Sequence, residues 1–380
     1  MKKALILSCF DWWYEKRIEP IAEILSSEYQ IMILVSDYNH LNKAEIEKKI
    51  SACTYIHVLP YKKNISMKRI LSHLQFGKTV KRYLKDYEPD LIYLLLPPNN
   101  TAYYCLKYKK KHKNIKYIVD IIDMWPESMP IGRIKDTLAC KLWRNLRNSS
   151  IEMADLVITE CDLYRKKLGD LLKEKKVVTN YIFKNQDVKL LSQAVKKEKK
   201  YNNNSISIGY VGSINSILDI NKIEKLLSNM KKAGINITCK VIGDGDHKDD
   251  FIEMLKSVAV VEYYGKIYDE EKKYRLLSTC DYGLNIMKPT VTVGLTIKSL
   301  DYFSFGLPII NNIQGDTWRL VEKMHLGINI DDDLERVVQR IKTERMDSRN
   351  IIKCFEENFT REAYIRNVKS ALAMIGVEHG

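Results

Sequence analysis

One segment concentrates residue types suited to phosphate esters. Gly294-Leu-Thr296-Ile-Lys298-Ser-Leu-Asp301-Tyr302-Phe-Ser-Phe-Gly306-Leu-Pro308-Ile-Ile opens as a glycine-containing loop and reads on as a helix. The helix is expected to stop at Gly306, with Pro308 just beyond it and a strand after. Lys298 and Asp301 stand three residues apart and share one helical face. Free N–H groups and the positive dipole end of a helix N-terminus attract an anion. A lysine there suits a diphosphate, and a carboxylate one turn later can accept hydrogen bonds from both hydroxyls of a ribose. By spacing alone, Lys-x-x-Asp is more often an exposed ion pair worth about 0.3 kcal/mol.

Four further segments sit at strand ends. Ile208-Gly209-Tyr210-Val211-Gly212-Ser213-Ile214-Asn215 finishes a strand in Gly-Ser, where backbone can approach a phosphate or sugar closely. Lys240-Val-Ile-Gly243-Asp244-Gly245-Asp246 is a second such turn. Val119-Asp120-Ile-Ile-Asp123-Met-Trp125-Pro126-Glu127-Ser128 offers two carboxylates, although Asp123 is also a natural loop-capping residue and Glu127 a natural helix cap. Ser8-Cys-Phe-Asp11-Trp12-Trp13-Tyr14-Glu15-Lys16-Arg17 places three aromatics before a helix. Aromatic faces stack on sugar rings, lie in membrane interfaces, or simply pack on a core.

The elements that must hold these residues alternate from the first residue. Short runs rich in Ile, Leu and Val at 4–8, 30–36, 55–59, 91–96, 117–122 and 156–159 read as strands buried on both faces. Helical stretches are expected near 15–27, 67–87, 102–111 and 137–153. The polar, Asn-rich stretch 194–205 reads as a linker. A second series follows, with strands at 206–211, 238–242, 258–264, 282–286 and 308–311, and the last ~30 residues read as helix. Alternating β and α implies parallel sheets with helices on both faces, and in such sheets ligands bind beyond the carboxyl ends of the strands.

Composition agrees with that organisation. A chain of 380 residues exceeds what one core fills efficiently, so two domains are expected. The apolar start Ala4–Leu7 dies at Asp11 without a cleavage site, so it reads as a strand and not a signal peptide. No apolar run approaches the ~20 residues that cross a bilayer. The eight cysteines are scattered without a C-x-x-C pair, which fits reduced thiols. The seven histidines show no ligand spacing, so no metal site is expected. Residues 1–180 hold 32 Lys+Arg against 21 Asp+Glu, so +11 of the net +14 lies there. That asymmetry predicts an anionic partner. The stretch 67–85 mixes Lys68, Arg69, Lys78, Lys81, Arg82 and Lys85 with apolar residues, as membrane-surface helices do. No helix-turn-helix, RNA-binding sheet motif or zinc finger supports nucleic acid as that partner.

Together the segments resemble family 4 retaining glycosyltransferases, whose donor segment has the form K-x-x-E-Y-x-x-x-G-x-P. Lys298, Asp301, Tyr302, Gly306 and Pro308 fall at matching positions, with Asp301 in place of the commoner Glu. Val293 stands where many members carry a second Glu, and the Arg and Lys that often follow Gly212-Ser213 are missing. The resemblance is specific over 206–312 and looser before that. It implies a GT-B fold, two Rossmann-like domains facing each other across a cleft, with the C-terminal helix crossing back to the N-domain. The implied spans are 1–190 for the acceptor domain, 205–355 for the nucleotide-sugar domain and 356–380 for the returning helix.

The implied donor residues are Gly212, Ser213, Asn215, Gly243, Asp244, Gly245, Gly294, Thr296, Lys298 and Asp301. Asp123 and Lys298 are the expected catalytic residues. Asp11, Trp12, Trp13, Arg17 and Glu127 are expected on the acceptor, with Arg17 on an acceptor phosphate. The implied reaction is metal-independent transfer with retention, from a nucleotide sugar (a UDP-sugar favoured) and without another cofactor. The expected acceptor is a polyprenyl-diphosphate-linked saccharide for capsule, exopolysaccharide or O-antigen. The expected location is the cytoplasmic face of the membrane, as a peripheral protein, with homo-oligomers left open. The departures at Val293 and after Ser213 keep an alternative open: a catalytically inactive subunit that binds glycan or stabilises a partner transferase. A sugar-nucleotide epimerase on the same fold would not need the basic half.

Overall fold

The computed structural model describes residues 1–129, 131–185 and 204–377. The expected linker 194–205 therefore lies outside the described residues, apart from its last two positions. The chain forms two compact units. The first takes residues 1–182 together with the chain from Tyr364 onward, and the second is Phe183–Ala363.

The first unit is built on a seven-stranded parallel sheet. Its strands are β1 (Lys2–Leu7), β2 (Tyr29–Ser36), β5 (Cys53–Ile56), β6 (Leu91–Leu96), β7 (Lys116–Ile121), β8 (Leu156–Thr159) and β9 (Val177–Thr179), in the order β5-β2-β1-β6-β7-β8-β9. A small antiparallel pair, β3 (Tyr38–Asn39) with β4 (Ala44–Glu45), lies outside it. β6 reads Leu-Ile-Tyr-Leu-Leu-Leu and is buried at every position. An unbroken apolar run of this kind belongs to a strand covered on both faces.

Along residues 1–182 the α-helices of this unit are α1 (Glu19–Leu25), α2 (Met67–Tyr87), α3 (Asn99–Lys111), α4 (Leu138–Met153) and α5 (Asp162–Leu168), and the unit also takes the helix Arg361–Ala373 from Tyr364 onward. The expected helix over 15–27 is two pieces, a π turn at Tyr14–Ile18 and then α1, with a 3₁₀ turn at Asp11–Trp13 before them. Ser66 caps α2 by accepting from the Arg69 N–H at 3.3 Å. The buried face of α2 carries Arg69, Ser72, His73, Phe76, Val80 and Leu84, the spacing of one helical stripe. Gly77 brings α2 against α3, since a Cβ there would lie 2.9 Å from the Tyr104 ring.

The second unit has a six-stranded parallel sheet. Its strands are β10 (Ser205–Val211), β11 (Asn236–Ile242), β12 (Val260–Tyr263), β13 (Tyr282–Asn285), β14 (Ile309–Asn311) and β15 (Gly327–Asn329), in the order β12-β11-β10-β13-β14-β15. Chain order reverses between β1 and β6 in one sheet and between β10 and β13 in the other. Ligands of such sheets sit outside the strand ends at these switch points.

β10 and β13 pair over only two residues, Ile208 with Tyr282 and Gly209 with Gly283. Tyr302 bridges the gap that follows. Its hydroxyl accepts from the Val211 N–H at 3.1 Å and donates to the Leu284 carbonyl at 3.1 Å. A Cβ on Gly283 would sit 2.6 Å from that ring, so glycine is what lets the tyrosine lie across the sheet.

Candidate functional site

At the switch point of the second sheet, three loops meet. The turn after β10 holds Gly212 at φ 128°, and the turn after β11 holds Gly243 at φ 150° and Gly245 at φ 156°. These values favour glycine. Contact between the turns demands it as well. A Cβ on Gly243 would lie 1.9 Å from the Gly212 carbonyl oxygen, and one on Gly245 would lie 2.2 Å from that of Ile214. Ile214 N–H donates to the Asp244 carbonyl at 2.9 Å, which ties the two turns together. Ser213 is exposed, and Asn215 accepts from the Ile217 N–H to close its own turn. The Asp244 side chain accepts from the Gly245 N–H at 2.9 Å and faces Lys266 at 3.6 Å.

The third loop leads into the helix Ile297–Ser304. Thr296 is its N-cap, accepting from the Ser299 N–H at 3.2 Å. The Gly294 carbonyl anchors the loop by accepting from the Thr317 N–H at 2.9 Å and the Thr317 hydroxyl at 2.7 Å. A buried asparagine row fixes the helix start from below. Asn285, Asn311 and Asn329 stand in register on β13, β14 and β15, joined at 2.9 Å and 2.7 Å. Asn285 also donates to Ser299 and accepts from Thr296. No local pattern in the sequence announces this row, because the strands that carry it are far apart along the chain.

Lys298 projects from the first turn of that helix beside Gly212: a Cβ on the glycine would be 3.9 Å from Lys298 Cε. Its ammonium lies over the Tyr210 ring, 4.8 Å from the centroid. Burial lowers its pKa to about 8. A lysine held in this way gains its missing counter-charge when an anion arrives.

Asp301 lies one turn further along the same helix and is already ion-paired. Lys184 ion-pairs with it, and Lys273 stands 3.9 Å away. Both lysines also reach Glu270, Lys184 at 2.7 Å. The lysine charges and hydrogen bonds outweigh the effect of burial on Glu270 and hold its carboxyl below the usual range. A ribose on Asp301 would have to share this network or displace Lys184. Lys184, Lys273 and Glu270 were not legible as site residues, since only tertiary packing brings them to Asp301.

In the first unit, Asp123 follows β7 and is held by three donors: the Met124 N–H at 2.8 Å, the Trp125 indole at 2.8 Å and the Ser128 hydroxyl at 2.5 Å. Burial nevertheless raises its pKa. Glu160, at the end of β8, is a group that sequence reasoning missed. It keeps some accessible surface, yet desolvation, with Asp123 and Asp120 nearby, pushes its carboxyl up to about 8 against the opposing charge of Arg17. Its position directly after a strand was the one available signal. Asp11 is half-buried, and burial raises its pKa too. Trp12 stacks on Phe10 at 5.0 Å, and both Trp12 and Trp13 pack partly buried against the core.

Two expected acceptor residues are corrected. Arg17 is wholly buried and grips Asp120 through two nitrogens at 3.1 and 2.6 Å, with a third bond to the Asn180 carbonyl at 2.9 Å. Burial opposes its charge, but Asp120 more than compensates and holds its pKa well above the ordinary value. All its nitrogens are engaged inside the unit, so it is a structural ion pair and not a phosphate ligand. Glu127 is likewise committed. It forms a two-pronged pair with Arg147 at 2.8 and 2.9 Å and meets Arg144 at 2.8 Å. Burial works against ionisation there, yet the Arg147 bonds and charge prevail and its pKa is lowered. It caps no helix. It braces the Asp123 loop against α4.

Among the described residues no group of three or more His, Cys, Asp and Glu side chains could hold a metal ion. No described helix is long and apolar enough to cross a membrane.

No protein-family model matches the chain. An 84-residue segment is 31% identical to chitobiosyldiphosphodolichol beta-mannosyltransferase of Candida glabrata, and this match spans 22% of the chain and 19% of that protein's length. Solved structures match over nearly the whole chain. Sucrose-phosphate synthase from Thermosynechococcus elongatus superposes with a TM-score of 0.68 at 14% identity, covering 99% of each chain. The lipopolysaccharide outer core galactosyltransferase WaaB gives 0.66 at 15% identity, covering 98% of this chain and 99% of its own. Anabaena HepE in complex with UDP gives 0.65 at 13%, covering 98% and 100%. The chain therefore has the two-domain α/β fold of the GT-B glycosyltransferases.

Proposed function

We propose that the chain is a glycosyltransferase whose second unit takes a nucleotide sugar and whose first unit takes the acceptor. One observation carries this: the Gly212, Gly243 and Thr296–Lys298 loops converge at the switch point of the second sheet, with a half-buried lysine at their centre that has no ion-pair partner among the described residues. Backbone N–H groups, a helix N-terminus and a lysine form an anion site of the kind a nucleoside diphosphate fills. UDP in HepE favours uridine as the base. Asp301, with Lys184 and Glu270 around it, would take the ribose.

In this reading Lys298 and the helix N-terminus stabilise the charge that develops on the departing diphosphate. Asp123 acts near the reacting sugar or the acceptor hydroxyl. The sugar is transferred with retention, by front-face attack in which the leaving phosphate takes the acceptor proton. No metal is required. The acceptor is a polyprenyl-diphosphate-linked saccharide of capsule, exopolysaccharide or O-antigen assembly, met at the inner face of the membrane. The 84-residue likeness to an enzyme named for a dolichol-diphosphate acceptor supports a lipid-linked substrate.

The test is a panel of UDP-, GDP- and ADP-sugars. Binding to the native state raises Tm, by RT ln(1 + [L]/Kd) in free energy. At least one UDP-sugar should raise it and should release UDP when a lipid-linked saccharide is added. If no nucleotide sugar shifts Tm, the transferase reading fails. If one binds but no sugar moves to any lipid-linked acceptor, the inactive-subunit alternative takes its place.

A further inference from the structure

The first unit carries an open groove of about 780 Å³ lined by α2, α3, α4 and the chain before α4. This size falls within the ~300–1,000 Å³ of small-ligand pockets. Ile65, Ile70, Leu74, Ile134, Leu142 and Leu146 form its apolar walls. Ile65, Ile134 and Leu142 leave 55%, 57% and 58% of their surface exposed. Contiguous apolar surface of this kind marks a binding site.

Asparagines and serines also line the groove, but among its described lining residues the charged one is Arg69. Arg69 is 6% exposed, with its guanidinium 4.4 Å from the Trp125 ring centroid and 5.7 Å from that of Tyr61. Nη1 donates to the Asn64 carbonyl at 2.7 Å, but Nε is buried without a hydrogen-bond partner. Among the described residues no carboxylate ion-pairs with it; burial lowers its pKa, and a hydrogen bond with Tyr61 and the more distant Asp123 charge offset that only in part. The Nε2 of His73, a residue 2% exposed, is also buried and unpartnered. Burial and the Arg69 charge depress His73 and push His40 down to about 3, so both rings are neutral.

A buried guanidinium without a counter-charge is unfavourable until an anion meets it. Phosphate oxygens supply both the charge and the missing acceptors. The same elements carry exposed cations outside the groove's lining, Lys68 on α2, Lys107 on α3, Arg133 and Lys135 in the turn Gly132–Asp136, and Lys141 on α4, with Asp136 the exposed carboxylate of that turn.

We propose that this groove binds a phosphate-bearing lipid, with its hydrocarbon chain on the apolar walls and its phosphate on Arg69. An apolar peptide would leave Arg69 uncompensated, and a free phosphate would leave the walls wet. The proposal rests on the transferase reading and deepens it, because the bound molecule is the lipid part of the acceptor. Its phosphate would lie beside Trp125, in the loop that holds Asp123.

Farnesyl diphosphate is a short, soluble probe. Added to the full chain, it should saturably change the tryptophan fluorescence, since Trp125 and Trp143 line the groove. It should bind at least about tenfold more tightly than either farnesol or pyrophosphate. Leu142→Glu, at an exposed position where folding is not at stake, should weaken it at least about tenfold, as should Arg69→Gln. Both variants should keep the wild-type Tm response to the nucleotide sugar, which separates this proposal from the donor site. Pyrophosphate binding as tightly as farnesyl diphosphate would overturn it. So would a Leu142→Glu variant that binds like wild type, or a wild type that adheres to anionic vesicles yet ignores farnesyl diphosphate. Loss of all nucleotide-sugar binding with lipid binding intact would count against the transferase reading alone.

Discussion

Lys298 places its ammonium 4.8 Å from the centre of the Tyr210 ring, and among the described residues no carboxylate lies within ion-pairing reach of it. The aromatic face supplies partial stabilisation of the cation, and a full counter-charge is left to the ligand.

Lys298→Met should therefore have two opposite effects. Nucleoside-diphosphate binding should weaken by about 1–3 kcal/mol, the range for a charge-assisted contact. Stability at pH 7 should rise, because a half-buried and partly desolvated charge is gone. The sign follows from a folded-state pKa of about 8, below that of an unfolded lysine. The wild type carries its full penalty below pH 8, sheds a proton in the native state as pH rises through 8, and recovers by about pH 10.4. The stability gap between variant and wild type should shrink over that window. Wild-type diphosphate affinity should fall through the same pH 8 step. Calorimetry across pH 6–10 reads both, and a flat affinity profile would remove Lys298 from the site.

Asp301 and Lys184 make a second test. Asp301→Ala should weaken nucleotide-sugar binding and leave the fold intact, since the lysines it releases retain Glu270. Lys184→Met should change nucleoside affinity more than affinity for pyrophosphate, because Lys184 touches the Asp301 carboxylate proposed to hold the ribose and not Lys298. Nucleotide binding equal to wild type in both variants would mean that this network is structural only.

For Asp123, the Asn variant keeps the size of the side chain but not the charge that the Met124, Trp125 and Ser128 donors face. Turnover should drop much more than donor affinity. Activity should survive EDTA. Full activity of Asp123→Asn, or complete loss with chelator, would each contradict part of the mechanism.

Arg17 should behave as a core residue. Arg17→Leu leaves Asp120 buried and unpaired, so it should cost about 3–5 kcal/mol in denaturant unfolding. The double change Arg17→Leu with Asp120→Leu should recover much of that loss. A variant of normal stability with weakened phosphate binding would restore Arg17 to the acceptor site.

The basic face of α2 concerns the membrane. Lys78, Lys81, Arg82 and Lys85 are all exposed. Changing them to Glu should abolish binding to anionic vesicles at low salt and spare nucleotide binding. Raising salt to 1 M, where the Debye length is about 3 Å, should strip the wild type from the same vesicles. Equal pelleting with neutral and anionic vesicles would leave this face a solvated surface.

The architecture was legible in the sequence because its signals are local. The unbroken apolar run of β6 and the Gly306–Pro308 stop are set by neighbours along the chain. Glycines with close-approach roles, Gly212, Gly243 and Gly245, could be placed for the same reason, since their turns follow strands directly. Charge alone could not distinguish Arg17 from Arg69. Both are arginines near helix starts, yet one is buried with its carboxylate and the other is buried without one. That difference depends on which strand runs beside which helix, as does the meeting of Lys184 with Asp301 across 117 residues. The order of residue types determined the elements and their strand-end loops. Long-range packing alone decided which charges are already paired and which still wait for a ligand, because an ion pair is set by distance in space and its strength by the water excluded around it.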